Sequence, residues 1–370
     1  MPPRRRSIFS LSPRAVNKIL QLLEFRDIWE ILQLSKRAEA LVKNFIRSNE
    51  ERARMTVIFK DYVYICVGNL ATSRSFSFSM QWSFYGNRYP ERFKLENFKR
   101  RTLKLNSDSD GTPMSIDYYQ KSEQQFGCSL NSIEEVLKFI EYIADLFNTS
   151  GTNLKFLTEN HGSKLEHLEA IQSIQVLKKC EEVYVLAKTV SHHEMQRLLG
   201  GWSEEVEKMT IWCHSEPNFH YDKVISVPRL EIFGGTWFKG PMLLKLDCKE
   251  VTVHTWCLTN EDINMFLRQW TNSSYEKLRY LKINKKFSNE EHENVYEDTW
   301  RSREVMEEQA LDIDKITNGL SLCRHAYDKP DVHERSIRRE DGKTMEVILF
   351  SNIQDSVEYQ FRLCFCKQYH

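Results

Sequence analysis

A spaced pattern of apolar residues recurs through the middle of the chain. In each copy three apolar residues are spaced three and then two positions apart, as at Cys248, Val251 and Val253. This alternation puts the last two apolar side chains on one face of a β-strand. Further copies begin at Cys180, Val206, Val227 and Leu278. The copies recur at intervals near the roughly 20–29 residues of leucine-rich repeats, and they therefore predict a leucine-rich-repeat array. The alternative is that the pattern matches by chance in another kind of α/β protein.

Two of these strands are followed by segments that predict capped amphipathic helices. Ser191 with Glu194, and Thr259 with Asp262, form capping-box sequences. Apolar residues then recur at helical spacing: Met195, Leu198, Leu199 and Trp202 in one copy, and Ile263, Phe266, Leu267 and Trp270 in the other. The two copies align without a gap, so we expect both tryptophans to be buried near the end of a helix. A strand and a helix that packs back on it form the unit of an α/β solenoid.

The segments on either side of this array predict other elements. Residues 52–126 alternate apolar and polar positions and are expected to be β-rich. Ser132 and Glu135 begin a capped helix that opens the repeat region, residues 127–300. Residues 301–370 are expected to hold a charged helix and a hairpin around Asp341-Gly342.

The first fifty residues differ in kind, because residues 7–48 predict three short helices. Pro13 suits a first helical turn, and Asp27 and Ser35 are expected to cap the second and third helices. A core of this size is marginal alone, so we expect the helices to pack against another surface. That surface is either a partner protein or the neighbouring solenoid, for which they would be a helical cap.

Composition excludes some classes of function and leaves others open. Lys and Arg total 52 and Asp and Glu total 52, so no net charge favours nucleic acid or an acidic membrane. No apolar run approaches the roughly 20 residues that span a bilayer, and we expect a cytoplasmic or nuclear protein with reduced thiols. Cys364 and Cys366 suit a metal pair or two buried thiols, of which the second is favoured. The sequence contains no recognisable catalytic constellation, metal site or cofactor motif, and we expect a protein without catalytic residues, metal or cofactor.

Several stretches resemble a known family. Phe9, Leu11, Pro13, Ile19-Leu20, Asp27-Ile28, Leu34-Ser35 and Leu41 resemble an F-box, the adaptor-binding motif of modular ubiquitin ligases. The stretches "LTNEDINMFLRQW", "EKLRYLKI" and "IRREDGK" resemble the F-box-associated domain that has expanded in nematode F-box proteins. The expected α/β fold is thus an N-terminal three-helix F-box-like module followed by a leucine-rich-repeat-like α/β solenoid domain with flanking β-rich segments.

The resemblance implies a non-catalytic substrate-recognition subunit of an SCF-type (Skp–cullin–F-box) E3 ubiquitin ligase. Such a subunit binds a Skp-family adaptor, through it a cullin, and a protein substrate. Two alternatives remain: a protein-interaction scaffold whose F-box does not function, and an enzyme whose Cys and His residues converge in a cleft. The residues expected to bind the adaptor are Phe9, Leu11, Pro13, Val16, Ile19, Leu20, Leu23, Ile28, Leu32 and Leu34.

Strand alternation identifies a candidate substrate surface. If Val183, Met209, Leu230, Val251 and Leu281 point into the core, their neighbours point outward in rows across the strands. Mixed charge with exposed aromatic residues suits a protein partner better than a polyanion. The alternative is an ordinary solvated sheet face. The expected residues are Glu182, Tyr184, Lys208, Thr210, Trp212, Arg229, Glu231, Phe233, Glu250, Thr252, His254, Tyr280 and Lys282.

Overall fold

The computed structural model describes most of the chain, which forms two compact units. The described residues are 11–23, 25–32, 34–48, 53–60, 63–68, 75–82, 101–105, 114–122, 125–130, 132–158, 164–202, 206–216, 219–235, 237–255, 257–272, 277–286, 311–329, 332–338, 344–352 and 358–365. One unit comprises Met1–Lys155 with Ser173–Cys180, and the other comprises Phe156–Gln172 with Glu181–His370.

The chain is a mixed α/β protein. Helices α1 to α10 are Pro13–Leu22, Phe25–Leu32, Lys36–Ser48, Ile133–Phe147, Leu168–Ser173, Gln175–Lys178, His192–Gly200, Gly240–Leu243, Asn260–Thr271 and Ile313–Thr317. Strands β1 to β8 are Arg54–Phe59, Val63–Gly68, Ser75–Trp82, Arg101–Leu105, Met114–Ser122, Gln125–Leu130, Gly151–Thr158 and Glu182–Val190. Strands β9 to β16 are Lys208–Ser215, Arg229–Phe233, Glu250–His254, Tyr280–Lys286, Leu322–Lys329, Val332–Arg338, Thr344–Asn352 and Glu358–Phe365.

Three short helices open the first unit, at the positions that the sequence predicts. The Ser12 hydroxyl accepts a hydrogen bond from the Ala15 backbone N–H, and Pro13 occupies the first turn of α1. Ser35 caps α3 through a 3.1 Å hydrogen bond from the Ala38 N–H. The predicted cap at Asp27 is wrong, because α2 begins two residues earlier and Asp27 lies in its first turn. In the first turn its carboxylate still interacts favourably with the positive end of the helix dipole.

A strand-rich region follows these helices, as predicted, and its strand order is β7-β1-β2-β3-β6-β5-β4. Strands β1 and β2 form an antiparallel hairpin whose alternate residues, Val57 and Ile65 among them, are fully buried. Helix α4 begins at the predicted cap, where the Ser132 hydroxyl accepts from the Glu135 N–H. One face of α4 is buried, so this helix supplies much of the core of the unit.

The second unit contains the recurring strands. Strands β8 to β12 are mutually parallel neighbours, and the inward residues Val183, Met209, Leu230, Val251 and Leu281 are all fully buried. The sheet then continues from β12 through β16, β15, β14 and β13, which pair antiparallel. The hairpin of β14 and β15 confirms the predicted one, although its turn at Asp341-Gly342 lies outside the described residues.

The capped helices are confirmed, but a regular strand-helix repeat is not. Both α7 and α9 carry complete capping boxes, at Ser191 and Thr259. In the described residues, the connection after β9 is a loop and the one after β10 holds the four-residue α8. Trp270 lies within α9, whereas Trp202 lies just beyond the end of α7, and both are buried. The predicted burial of the two tryptophans is therefore correct, and the predicted helical position of Trp202 is not.

One helix is described in the segment for which the sequence predicts a charged helix. Helix α10 spans five residues and is fixed to α9 by polar contacts: the Asn264 side-chain amide donates to the Ile316 and Asn318 carbonyls. The charged residues 301–310 lie outside the described residues. No helix in the described part of the chain combines the length and apolar character needed to cross a bilayer.

Candidate functional site

The outward side chains of β8 to β12 form a surface that we term the open face, and strand pairing sets its rows. Arg229 is paired in register with Lys208 on one side and Glu250 on the other, and Glu250 is paired with Tyr280. Each row therefore crosses neighbouring strands, as predicted from alternation alone. The first row is Glu182, Lys208, Arg229, Glu250 and Tyr280; the second is Tyr184, Thr210, Glu231, Thr252 and Lys282; the third includes Trp212, Phe233 and His254.

Polar contacts link the first two rows on strands β8 to β10. The Lys208 ammonium lies 3.0 Å from a Glu231 carboxylate oxygen and 3.9 Å from one of Glu182. The Thr210 hydroxyl donates to Glu231 at 3.1 Å. Thr210 is only 3% exposed, so the prediction that it is available to a partner is wrong: its outward hydroxyl is covered by its neighbours and used within the face.

Arg229 and Glu250 differ from these engaged residues. Both side chains are exposed. Although the two are register partners, neither forms an ion pair with another residue in the described ranges. The first row therefore contains two charged groups that are available to a partner, on adjacent strands.

The third row contains a stack of rings, which we term the aromatic strip: Trp212, Phe233 and His254. The Trp212 and Phe233 ring centroids are 4.1 Å apart, and those of Phe233 and His254 are 4.4 Å apart, with interplanar angles of 25° and 26°. The Asn284 side-chain nitrogen lies 3.0 Å from His254 Nε2. All three rings are half-buried, so the aromatic strip is a partly exposed row of rings within an otherwise polar face.

Strand β16 extends the open face beyond the residues that the sequence identifies. Lys282 is half-buried and paired in register with Arg362 of β16, and Tyr280 is paired with Cys364. The sequence reasoning missed this extension because β16 comes from the far end of the chain. Cys366 and the side chain of Cys364 lie outside the described residues, so the prediction for that pair stays a prediction.

The residues predicted to bind an adaptor fall into three groups by exposure. Val16, Leu20 and Leu32 are buried, and Leu20 packs in a cluster with Val16 and Phe45. Their side chains complete the core of the helices and are not available to a partner. The half-buried group is Ile19, Leu23 and Ile28, and the exposed group is Leu11, Pro13 and Leu34. Phe9 lies outside the described residues.

Two apolar side chains next to the N-terminal helices are exposed. Leu34, between α2 and α3, is 69% exposed, and Leu11, just before α1, is 38% exposed. Exposed leucines are common singly, so neither one alone marks an interface. They are the best-placed members of the predicted adaptor set for direct contact.

Three buried thiols, at Cys180, Cys213 and Cys248, have the environment of structural residues. Burial raises the pKa of Cys180 and of Cys248 to about 12, and burial also raises the pKa of Cys213. Cys213 points into the core while its neighbours Trp212 and His214 are half-buried, so alternation separates the thiol from the imidazole. In the described part of the chain, no three His, Cys, Asp or Glu residues converge as metal ligands would.

One buried lysine stands apart from these groups. Lys285 of β12 is 2% exposed, and burial lowers its pKa to about 8, although nearby Cys257 and Asp262 favour the charged form. It lies next to Asn284 but points to the opposite side of the strand. It is therefore not part of the open face.

Comparison with known proteins assigns a relationship to part of the chain. Residues 218–283 match the F-box associated family. The chain is 20% identical over 311 residues to the Skn-1 dependent zygotic transcript 15 protein of Caenorhabditis elegans, covering 82% of this chain and 80% of that protein. No solved structure matches the chain significantly. The matched region contains β10, β11 and most of β12, and the match supports an F-box-associated role in protein interaction.

Proposed function

We propose that the protein is a non-catalytic substrate-recognition subunit of an SCF-type E3 ubiquitin ligase. In this proposal the N-terminal helices bind a Skp-family adaptor, and through it a cullin, while the open face binds the protein substrate. The observation that carries the proposal is the F-box associated match, because residues 218–283 include two of the five strands of the open face and most of a third.

The proposed contribution of the chain is proximity. Ubiquitin transfer takes place on other subunits, and holding the substrate beside them raises the effective concentration of its lysines. No cofactor is required for such a role. The proposed sites of action are the cytoplasm, the nucleus or both.

Adaptor binding is proposed to use Leu11, Pro13 and Leu34, with half-buried Ile19, Leu23 and Ile28 at the edge of the contact. These side chains combine apolar character with exposure, which the buried Leu20 lacks. A charge at Leu20 would disrupt the helices themselves, so a test of docking needs an exposed position. Leu34 provides one, since it is 69% exposed and makes little contact within the folded unit.

The test is affinity for a purified Skp-family adaptor, measured by titration calorimetry with the full chain. Leu34→Asp is expected to raise the Kd at least tenfold, because a carboxylate buried without a partner in an interface is costly. Ala40→Asp adds the same charge at an exposed position on α3 and is expected to change the Kd less than twofold. Equal affinities of the wild type and the folded Leu34→Asp variant would remove Leu34 from the proposed contact.

A second candidate function is a protein-interaction scaffold without adaptor binding. The burial of Val16, Leu20 and Leu32 favours it, because three apolar positions of the F-box-like segment are used inside the helices. A wild-type chain that binds no Skp-family adaptor, yet binds a protein through the open face, would support the scaffold and exclude the ligase subunit.

A further inference from the structure

The geometry of the aromatic strip determines which part of each ring a partner meets. Adjacent strands lie about 4.8 Å apart, and the ring centroids are separated by nearly that distance. The rings of Trp212, Phe233 and His254 therefore stand side by side over their own strands, face against face. Their edges point away from the sheet. A partner above the strip contacts ring edges and not ring faces.

The two ends of the stack also have neighbours. Leu186, half-buried, is the register partner of Trp212 on β8. At the other end, the Asn284 side-chain nitrogen lies 3.0 Å from His254 Nε2. Within the stack, both faces of Phe233 and the inner faces of Trp212 and His254 are covered by neighbouring rings, so these faces are closed to a cation. Ring edges carry partial positive charge, so they attract the face of another aromatic ring or an oxygen atom and disfavour an ammonium or guanidinium group.

The charges of the first row add a second preference. Lys208 is held by Glu231 and Glu182, whereas Arg229 is exposed and has no ion pair among the described residues. Arg229 therefore remains able to bind a carboxylate. Exposed Glu250 flanks it on β11, and on β9 the Lys208 charge is shared between Glu231 and Glu182, so Arg229 is the cation of the first row that remains for a carboxylate.

Spacing along β10 connects the two preferences. Arg229 is the first residue of β10 and Phe233 is the last, and their separation of four positions corresponds to a distance of about 13 Å. A peptide segment that lies extended along β10 covers the same distance in four residues. Between the two positions lies Glu231, whose carboxylate is paired with Lys208 and accepts a hydrogen bond from the Thr210 hydroxyl.

We propose that the open face binds an extended segment of a protein partner with an aromatic residue on the aromatic strip and an Asp or Glu, four residues away, on Arg229. The inference rests on the proposed function, since it specifies the substrate class for the same surface. Its content is a preference: an aromatic residue is selected on the aromatic strip and an acidic residue on Arg229, and basic residues are disfavoured on the ring edges.

The first experiment selects phage-displayed random nine-residue peptides on the immobilised full chain. The expected result is enrichment of peptides with Trp, Tyr or Phe four positions from Asp or Glu, in either order. Selection on the Trp212→Ala/Phe233→Ala double variant is expected to lose this enrichment. Enriched peptides with Lys or Arg at either position would overturn the inference.

The second experiment measures the Kd of the consensus peptide by fluorescence polarisation. Arg229→Glu is expected to raise the Kd at least tenfold, and replacing the acidic peptide residue with Lys is expected to restore most of the affinity to that variant. Arg279→Glu makes the same change at an exposed arginine just before β12 and is expected to alter the Kd less than twofold. Equal losses in both variants would overturn the pairing with Arg229.

The outcomes separate this inference from the proposed function. Peptides of another composition whose binding is lost in the Trp212→Ala/Phe233→Ala variant would overturn the inference and support the open face as the substrate site. Enrichment that survives in that folded variant, or no enrichment at all, would overturn the inference, and Skp-family adaptor binding would then be the separate test of the proposed function.

Discussion

At the scale of single residues, the two tryptophans that follow the capping boxes carry a large share of the packing. Trp270 is fully buried and Trp202 is 8% exposed. Truncating a buried tryptophan removes many contacts and leaves a cavity, so Trp270→Ala or Trp202→Ala is expected to lower the free energy of unfolding by about 3–5 kcal/mol. Urea denaturation followed by circular dichroism measures the change.

Met265 provides a matched control for Trp270. It lies on the same helix but is 47% exposed. Met265→Ala is expected to change the free energy of unfolding by less than about 1 kcal/mol. Similar losses for Met265→Ala and Trp270→Ala would contradict the assignment of Trp270 to the core.

The buried Lys285 makes stability depend on pH. Its folded pKa is about 8, below the ordinary value of 10.5, so the folded state loses the proton first as the pH rises. The unfolded chain then binds more protons, and the free energy of unfolding is expected to increase between about pH 8 and pH 10.5. Lys285→Met is expected to abolish this increase and to be more stable than the wild type at pH 7, as measured by urea denaturation across that range.

An exposed lysine serves as the comparison for this prediction. Lys249 lies just before β11 and is exposed. Lys249→Met is expected to keep the wild-type rise in stability with pH. A Lys285→Met variant with the same rise would show that another group causes it.

Sequence alone identifies which side of a strand a residue occupies but not what covers it. Alternation correctly separated Val251 from Thr252, because the period of a strand is two residues. It could not show that Thr210 is covered, since that depends on Glu231 of the next strand. Helical spacing likewise places Leu20 on the apolar face of α1. The same spacing is expected whether that face packs inside the helical module or against a partner protein, so it could not distinguish the two.

At the scale of elements, the two capping boxes define where α7 and α9 begin. The Thr259 hydroxyl accepts from the Asp262 N–H at 3.1 Å, and the Asp262 carboxylate accepts from the Thr259 N–H at 2.9 Å. Thr259→Ala removes the hydroxyl and is expected to cost about 1 kcal/mol of stability. Thr259→Ser keeps an oxygen in place and is expected to cost less than half as much in the same denaturation assay.

Elements formed by local sequence and the rows across the parallel strands were predictable, and the pairing of β12 with β16 was not. The helices α4, α7 and α9 each carry a cap and an apolar face within their own residues. The parallel strands were recognisable because their inward residues repeat. Nothing local in β16 indicates that it pairs with β12, so the extension of the open face by Arg362 had no signal in the sequence.

At the scale of the whole molecule, adaptor binding by the N-terminal helices and substrate binding by the open face are proposed to be separable. Deleting residues 1–50 removes α1, α2 and α3 together with Leu11 and Leu34. The deletion is expected to abolish binding to a Skp-family adaptor, while binding of the consensus peptide to the open face persists within twofold. Pull-down with the adaptor and fluorescence polarisation with the peptide measure the two activities on one preparation.

The same deletion removes contacts between α3 and α4, so a control measurement must show that the rest of the chain remains folded. The Lys43 and Arg47 side chains lie 3.0 and 2.7 Å from the Asp145 carboxylate of α4, and these exposed ion pairs are worth little individually. Circular dichroism is therefore recorded before binding is measured. Loss of both activities together with loss of folded signal would favour the helical cap over the adaptor-binding module.

The antiparallel pairing of β12 with β16 has a consequence for the synthesis of the chain. Strand β12 ends at Lys286 and its partner begins only at Glu358, so at about 5–20 residues per second the ribosome needs several seconds to supply the missing strand. Until then the last parallel strand presents unpaired N–H and C=O groups to other nascent chains. Synthesis of β16, and not the local folding of the parallel strands, therefore sets the moment at which this edge of the sheet becomes protected.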